Sequence, residues 1–100
     1  MSLNQSVLIC DQVNPILKEI LEKNSLKVTY EPEITPEQLA EKIGNYEVIV
    51  VRSRTKIVKE LVEKASKCQI IARVGVGLDN IDQDAAKAKN IRVINAVEGA

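Results

Sequence analysis

The chain has 100 residues, the size of one domain, and its 14 basic side chains balance 14 acidic ones. Zero net charge argues against a nucleic-acid binder, whose surface carries a basic surplus. No stretch approaches the ~20 apolar residues of a membrane span, Met1 to Ser6 is polar rather than leader-like, and the lack of histidine removes Ser–His–Asp and Cys–His catalysis together with His-bearing zinc sites.

In chain order, Val7-Leu8-Ile9-Cys10 is a four-residue apolar run and predicts a buried strand, closed by Asp11. Pro15 opens a helix with Ile16, Leu17, Ile20 and Leu21 at helical spacing, which the chain leaves through Lys23-Asn24-Ser25. Lys27 to Tyr30 alternates in polarity as an edge strand does, and Pro32 ends it because it has no amide hydrogen to donate. Thr35, Pro36 and Gln38 spell a capping box ahead of a helix that buries Leu39, Ala40 and Ile43 and stops at Gly44-Asn45. Val48 to Val51 is the most apolar strand and belongs at the sheet's centre. A third helix is expected over 58–67, burying Leu61, Val62 and Ala65, followed by a strand from Ile70 to Val74. Asp82 caps a fourth helix through Ala85, Ala86 and Ala88, and Ile91 to Ala96 supplies the fifth strand.

Two tyrosines and no Phe or Trp leave the core to Val, Ile, Leu and Ala, the palette of a parallel sheet covered by helices. Five strands alternating with four helices through short loops give a single α/β domain over 1–100. It is a doubly wound, flavodoxin-like parallel sheet of order 2-1-3-4-5 with helices on both faces. Cys10 and Cys68 have no metal-like spacing and read as reduced thiols in or near the core, so the expected compartment is the cytoplasm.

In such a sheet the ligand sits beyond the carboxyl ends of the strands. The loops there carry Asp11, Glu31, Arg52-Ser53-Arg54-Thr55, Gly75-Val76-Gly77 and Asn95. Arg52 and Arg54 flank Ser53 directly after the central strand, where two guanidinium forks and a hydroxyl suit a carboxylate or phosphate. The competing reading pairs one arginine with Asp11 or Glu31 and leaves the other to solvent. Gly75 and Gly77 allow close backbone approach to an anion, yet Asn80 stands where a dinucleotide fingerprint needs its third glycine. Asp79 to Asp82 reads as a turn and a helix cap.

Two stretches, Val-Val-Arg-Ser-Arg-Thr (50–55) and Ile-Ile-Ala-Arg-Val-Gly-Val-Gly-Leu-Asp-Asn-Ile-Asp (70–82), resemble the N-terminal region of the D-isomer-specific 2-hydroxyacid dehydrogenases. The resemblance covers essentially the whole chain. It implies a substrate-binding segment in which Arg52, Ser53 and Arg54 contact a small anionic 2-hydroxy or 2-keto acid of the 3-phosphoglycerate type. The backbone of Val76 and Gly77 would hold the acid's carboxylate, with Arg73 and Asn95 near the same cleft. The family's NAD-binding domain and its catalytic arginine, glutamate and histidine follow later in its members. The resemblance therefore implies no catalytic, cofactor or metal ligand within these 100 residues, NAD belonging to the parent family, and no turnover by this chain alone. Uncovered apolar surface would then favour self-association or domain swapping.

Two other readings use the same fold. A phospho-receiver needs an aspartate ending the third strand and a lysine ending the fifth, where this chain has Val51-Arg52 and Asn95-Ala96. A flavodoxin needs a Ser/Thr/Gly-rich phosphate loop after the first strand, where Asp11-Gln12-Val13-Asn14 stands. A purely structural minimal fold is the third alternative.

Overall fold

A computed structural model describes residues 5–75 and 77–96. Strands β1 (Ser6–Ile9), β2 (Lys27–Tyr30), β3 (Val48–Val51), β4 (Ile70–Val74) and β5 (Arg92–Ala96) form one parallel sheet of order β2-β1-β3-β4-β5. Helices α1 (Pro15–Lys23), α2 (Pro36–Lys42), α3 (Lys59–Lys64) and α4 (Gln83–Ala88) make the crossovers, and α2 runs on into a 3-10 turn at Ile43–Asn45. The expected topology is the observed one, with the most apolar strand central and the polar one at an edge.

Strand alternation divides the core into two layers. Leu8, Ile49 and Ile71 lie side by side on one face and pack with Leu39, Ile43, Leu61, Val62 and Ala86 from the α2, α3 and α4 layer. Val7, Ile9, Val50 and Ala72 point to the other face, where Leu17 and Leu21 of α1 join them. Each fully buried Leu, Ile or Val contributes roughly 1.5–3 kcal/mol, so the core without aromatics is held by many medium-sized side chains. Only half of the apolar stripe on α1 is used: Ile16 and Ile20 remain 58% and 51% exposed.

The helix ends follow local chemistry. The Thr35 hydroxyl accepts from the Gln38 N–H while the Gln38 side chain accepts from the Thr35 N–H, completing the capping box. Asp82 caps α4 by accepting from the Ala85 N–H at 3.0 Å. Helices α1 and α4 both stop in a Schellman arrangement. Leu26 and Ile91 N–H donate to the Leu21 and Ala86 carbonyls, with Ser25 (φ 67°) and Asn90 (φ 59°) in the left-handed position between.

Three elements differ in their bounds from the sequence reading, β5 starting at Arg92 rather than Ile91. Strand β1 ends at Ile9, and Cys10 continues with only its N–H bonded to Val50. Helix α3 spans Lys59–Lys64 rather than 58–67. Ala65, 2% exposed, leaves helical geometry so that Gln69 can donate to the Glu47 carbonyl and start β4 in register. Among the described residues no helix is long and apolar enough to cross a membrane.

Candidate anion-binding rim at the strand ends

The switch in strand order falls between β1 and β3, and the loops after these two strands meet there. Asp11, the first residue past Cys10, is 2% exposed and turns its carboxylate into the β3–α3 loop. Oδ2 accepts the Arg52 N–H at 2.6 Å and the Thr55 N–H at 3.1 Å. Oδ1 accepts the Thr55 hydroxyl and sits 3.1 Å from Arg54 Nε. A buried carboxylate is costly unless it is paired and hydrogen-bonded, and here both oxygens are fully engaged.

Arg54 is the cationic half of this arrangement. Besides Asp11, its Nη2 donates to the Cys10 and Pro32 carbonyls at 2.7 and 2.9 Å, and Nη1 donates to Ile34 at 3.2 Å. Four of the five N–H groups of the guanidinium are thus directed at the protein, joining the loops after β1, β2 and β3. The alternative reading of an arginine paired with Asp11 therefore describes Arg54, while Glu31 is engaged by Lys42, whose amine it holds above its ordinary pKa by hydrogen bonding. Arg52 has a different setting: its N–H is held by Asp11 and its Nη1 lies 3.5 Å from the Gln12 carbonyl. Ser53, exposed between the two arginines, makes no hydrogen bond among the described residues. A depression of about 430 Å³ opens here between Gln12, Pro32, Glu33, Arg52, Ser53 and Arg54. A second one of about 460 Å³ between α2 and α3 is walled by Leu39, Ala40, Val58 and Leu61, with Arg54, Lys56 and Lys64 also on its lining.

Two asparagines tie down the β4 side of the rim. Asn80 Nδ2 donates to the Arg52 and Thr55 carbonyls at 2.5 and 2.7 Å, and its Oδ1 accepts from Arg73 Nε at 2.8 Å. A one-residue parallel bridge, Ile57 with Ile81, fastens the same two segments a step further on. Asn95 Nδ2 donates to the Gly75 and Gly77 carbonyls at 3.2 and 2.8 Å, so β5 holds the glycine loop. Val76 lies outside the described residues.

Of the residues expected at the site, Arg52, Ser53 and Arg54 follow β3 and Gly77 follows β4, while Arg73 and Asn95 lie within the last residues of β4 and β5 and reach the rim through their side chains. Sequence reading treated Asn80 as part of a turn and left Thr55 without a role. Both act through single side chains reaching across the fold, a property that no periodicity reports; Asp11, expected in the strand-end loops and as a possible arginine partner, holds the turn as well. Cys10 adjoins the site without joining it: burial, then the Asp11 charge, pushes its thiol up to about 12, so it stays neutral.

Helix α4 begins only at Gln83, six residues past Gly77, and its first turn is capped by Asp82. What the rim offers is a basic, hydroxyl-bearing edge of an open α/β sheet suited to a small anion.

This open parallel α/β fold is shared with known oxidoreductases. The family model for the D-isomer specific 2-hydroxyacid dehydrogenase catalytic domain matches residues 7–100, and the chain belongs to this family. It is 42% identical over 94 residues to D-3-phosphoglycerate dehydrogenase of Methanocaldococcus jannaschii, covering 94% of this chain and 18% of that protein. It is 36% identical over 95 residues to the Sus scrofa enzyme of the same name, again 18% of its length. Among solved structures, NAD+-bound 3-phosphoglycerate dehydrogenase of Entamoeba histolytica superposes with a TM-score of 0.82 at 30% identity, covering 92% of this chain and 32% of that one. The chain therefore spans less than a third of the length of these relatives.

Proposed function

We propose that this chain is the substrate-holding segment of an NAD-dependent D-2-hydroxyacid dehydrogenase of the 3-phosphoglycerate type. The observation that carries the reading is the Arg52–Thr55 turn, fixed at the switch in strand order with Ser53 exposed and Arg52 at its mouth. An incoming carboxylate or phosphate meets the Ser53 N–H and hydroxyl and the Arg52 cation, and the backbone at Val76 and Gly77 takes the acid's other end. Arg73 and Asn95 stand behind this edge and keep it in place.

The reaction removes a proton and a hydride from a secondary alcohol, so it needs a base near neutrality and a hydride acceptor. The 100 residues contain no histidine, and the glycine loop does not suit NAD. Hence the chain by itself binds the acid weakly and does not turn it over, since a partial site loses contacts while the ordering cost stays.

An amide-shift titration of the labelled chain with D-3-phosphoglycerate tests the binding half. Saturable shifts concentrated at 52–55 and 75–77 are expected; their absence at millimolar ligand overturns it. Incubation with NAD+ and the same acid tests the other half, and NADH formation would sink the claim of inactivity.

A further inference from the structure

Resting on that reading, we propose that Asp11 and Arg54 are a positioning pair: they do not touch the acid but shape the turn that does. The two ends of the turn are drawn onto one oxygen, since the N–H groups of Arg52 and Thr55 both converge on Asp11 Oδ2. That convergence turns the intervening Ser53 outward and leaves its N–H and hydroxyl unengaged by the described residues. Arg54 neutralises the buried carboxylate through Nε and spends its remaining reach on three main-chain carbonyls. A guanidinium satisfied in this way has one N–H left and little to give a ligand. The apparent symmetry of Arg-Ser-Arg is thus broken by the fold: Arg54, half-exposed though it is, directs four of its N–H groups at the scaffold, and Ser53 between the arginines is left exposed.

The experiment compares the parent chain with Asp11→Asn, Arg54→Lys and Ser53→Ala, measuring D-3-phosphoglycerate affinity by amide shifts and amide hydrogen exchange without ligand. A lysine keeps the charge but cannot reach four acceptors at once. We expect Arg54→Lys and Asp11→Asn to weaken binding about tenfold, the loss of one charged hydrogen bond. In both, exchange at the Arg52 and Thr55 amides should quicken while sheet amides such as Val50 and Ile71 keep parent rates. Ser53→Ala should weaken binding with those exchange rates unchanged.

Weaker binding in Arg54→Lys with unchanged exchange would mean that Arg54 touches the acid, and would overturn the pair's role. Parent-like binding and exchange in Arg54→Lys would overturn it as well. If Asp11→Asn loses sheet protection altogether, Arg54→Lys decides alone. If the parent binds no acid while the exchange contrast appears, the substrate reading falls and the hold of the pair on the turn stands.

Discussion

Arg73 donates its Nε–H to the carboxamide oxygen of Asn80 at 2.8 Å, from a strand to a turn seven residues later. The contact orients the carboxamide so that its nitrogen faces the Arg52 and Thr55 carbonyls. One side chain thereby satisfies two carbonyls and a guanidinium N–H, and it locks the β3–α3 turn to the segment after β4.

Asn80→Ala should therefore cost more than an average surface change. Three hydrogen bonds vanish at a half-buried position, and we expect a loss of about 1–3 kcal/mol. Asn80→Asp keeps the oxygen for Arg73 but places a second acceptor against two carbonyls, so it should be no better than alanine. Urea unfolding of the three proteins checks this; a midpoint within experimental error of the parent for Asn80→Ala would contradict the role. The slope of the transition should stay constant, because the surface exposed on unfolding is the same.

Gly75 and Gly77 differ in what a side chain would meet. Gly75 has φ 129°, and an added Cβ would lie 3.0 Å from Arg73 Nη1. Gly77 has φ 86°, and its Cβ would meet nothing within 4 Å. Gly77→Ala should thus cost only backbone strain, of order 1–3 kcal/mol. Gly75→Ala carries strain and also displaces the Arg73 guanidinium, so the Asn80 side-chain amide resonances should shift in Gly75→Ala and stay in place in Gly77→Ala. Equal shifts in both would refute the distinction.

How far the sequence speaks follows from these residues. The strand order was legible because apolar runs such as Val48–Val51 and caps such as Thr35 with Gln38 are local signals, and crossover handedness does the rest. The rim was legible as a set of loops because strand ends converge in this fold. The division of labour within it was not. Whether Arg54 faces solvent or scaffold depends on Pro32, Ile34 and Cys10 carbonyls that come together only when three loops fold, and Asn80 reaches its partners 25 and 28 residues back. The early end of α3 has the same origin, since the chain after it must bring the Gln69 and Ile70 N–H groups to the Glu47 carbonyl just ahead of β3.

Ser25 offers a stabilising change. It occupies the left-handed position that closes α1, at φ 67°, where a Cβ is penalised by roughly 1–2 kcal/mol and glycine is not. Its backbone N–H bonds to Glu22 survive any substitution that keeps the turn. Ser25→Gly should raise stability by about 0.5–1 kcal/mol, part of the gain being returned through the greater freedom of the unfolded chain. Asn90→Gly, at φ 59° after α4, should gain less because asparagine tolerates this region better. Thermal melts of both variants decide the ranking, and a Ser25→Gly protein that melts below the parent would refute it.

The two thiols give a pH signature. Burial raises Cys10 from 9.0 to about 12 and Cys68 from 9.0 to about 11, with the Asp11 charge adding to the first and a backbone hydrogen bond of Ile70 opposing the second. Each folded-state value lies above the unfolded one, so the native protein keeps protons that the unfolded chain releases above about pH 9. This contribution is complete below pH 9 and is lost as the pH climbs toward 11 and 12. Stability should therefore fall through that window, and the Cys10→Ala, Cys68→Ala double variant should show a shallower fall from a lower starting value. At pH 8 the native thiols should react with an aromatic disulfide reagent at least about tenfold more slowly than in denaturant, because the thiolate is the reactive form and both groups are buried. Fast native labelling of Cys10 would mean that the end of β1 opens readily, and with it the hold of Asp11 on the β3–α3 turn.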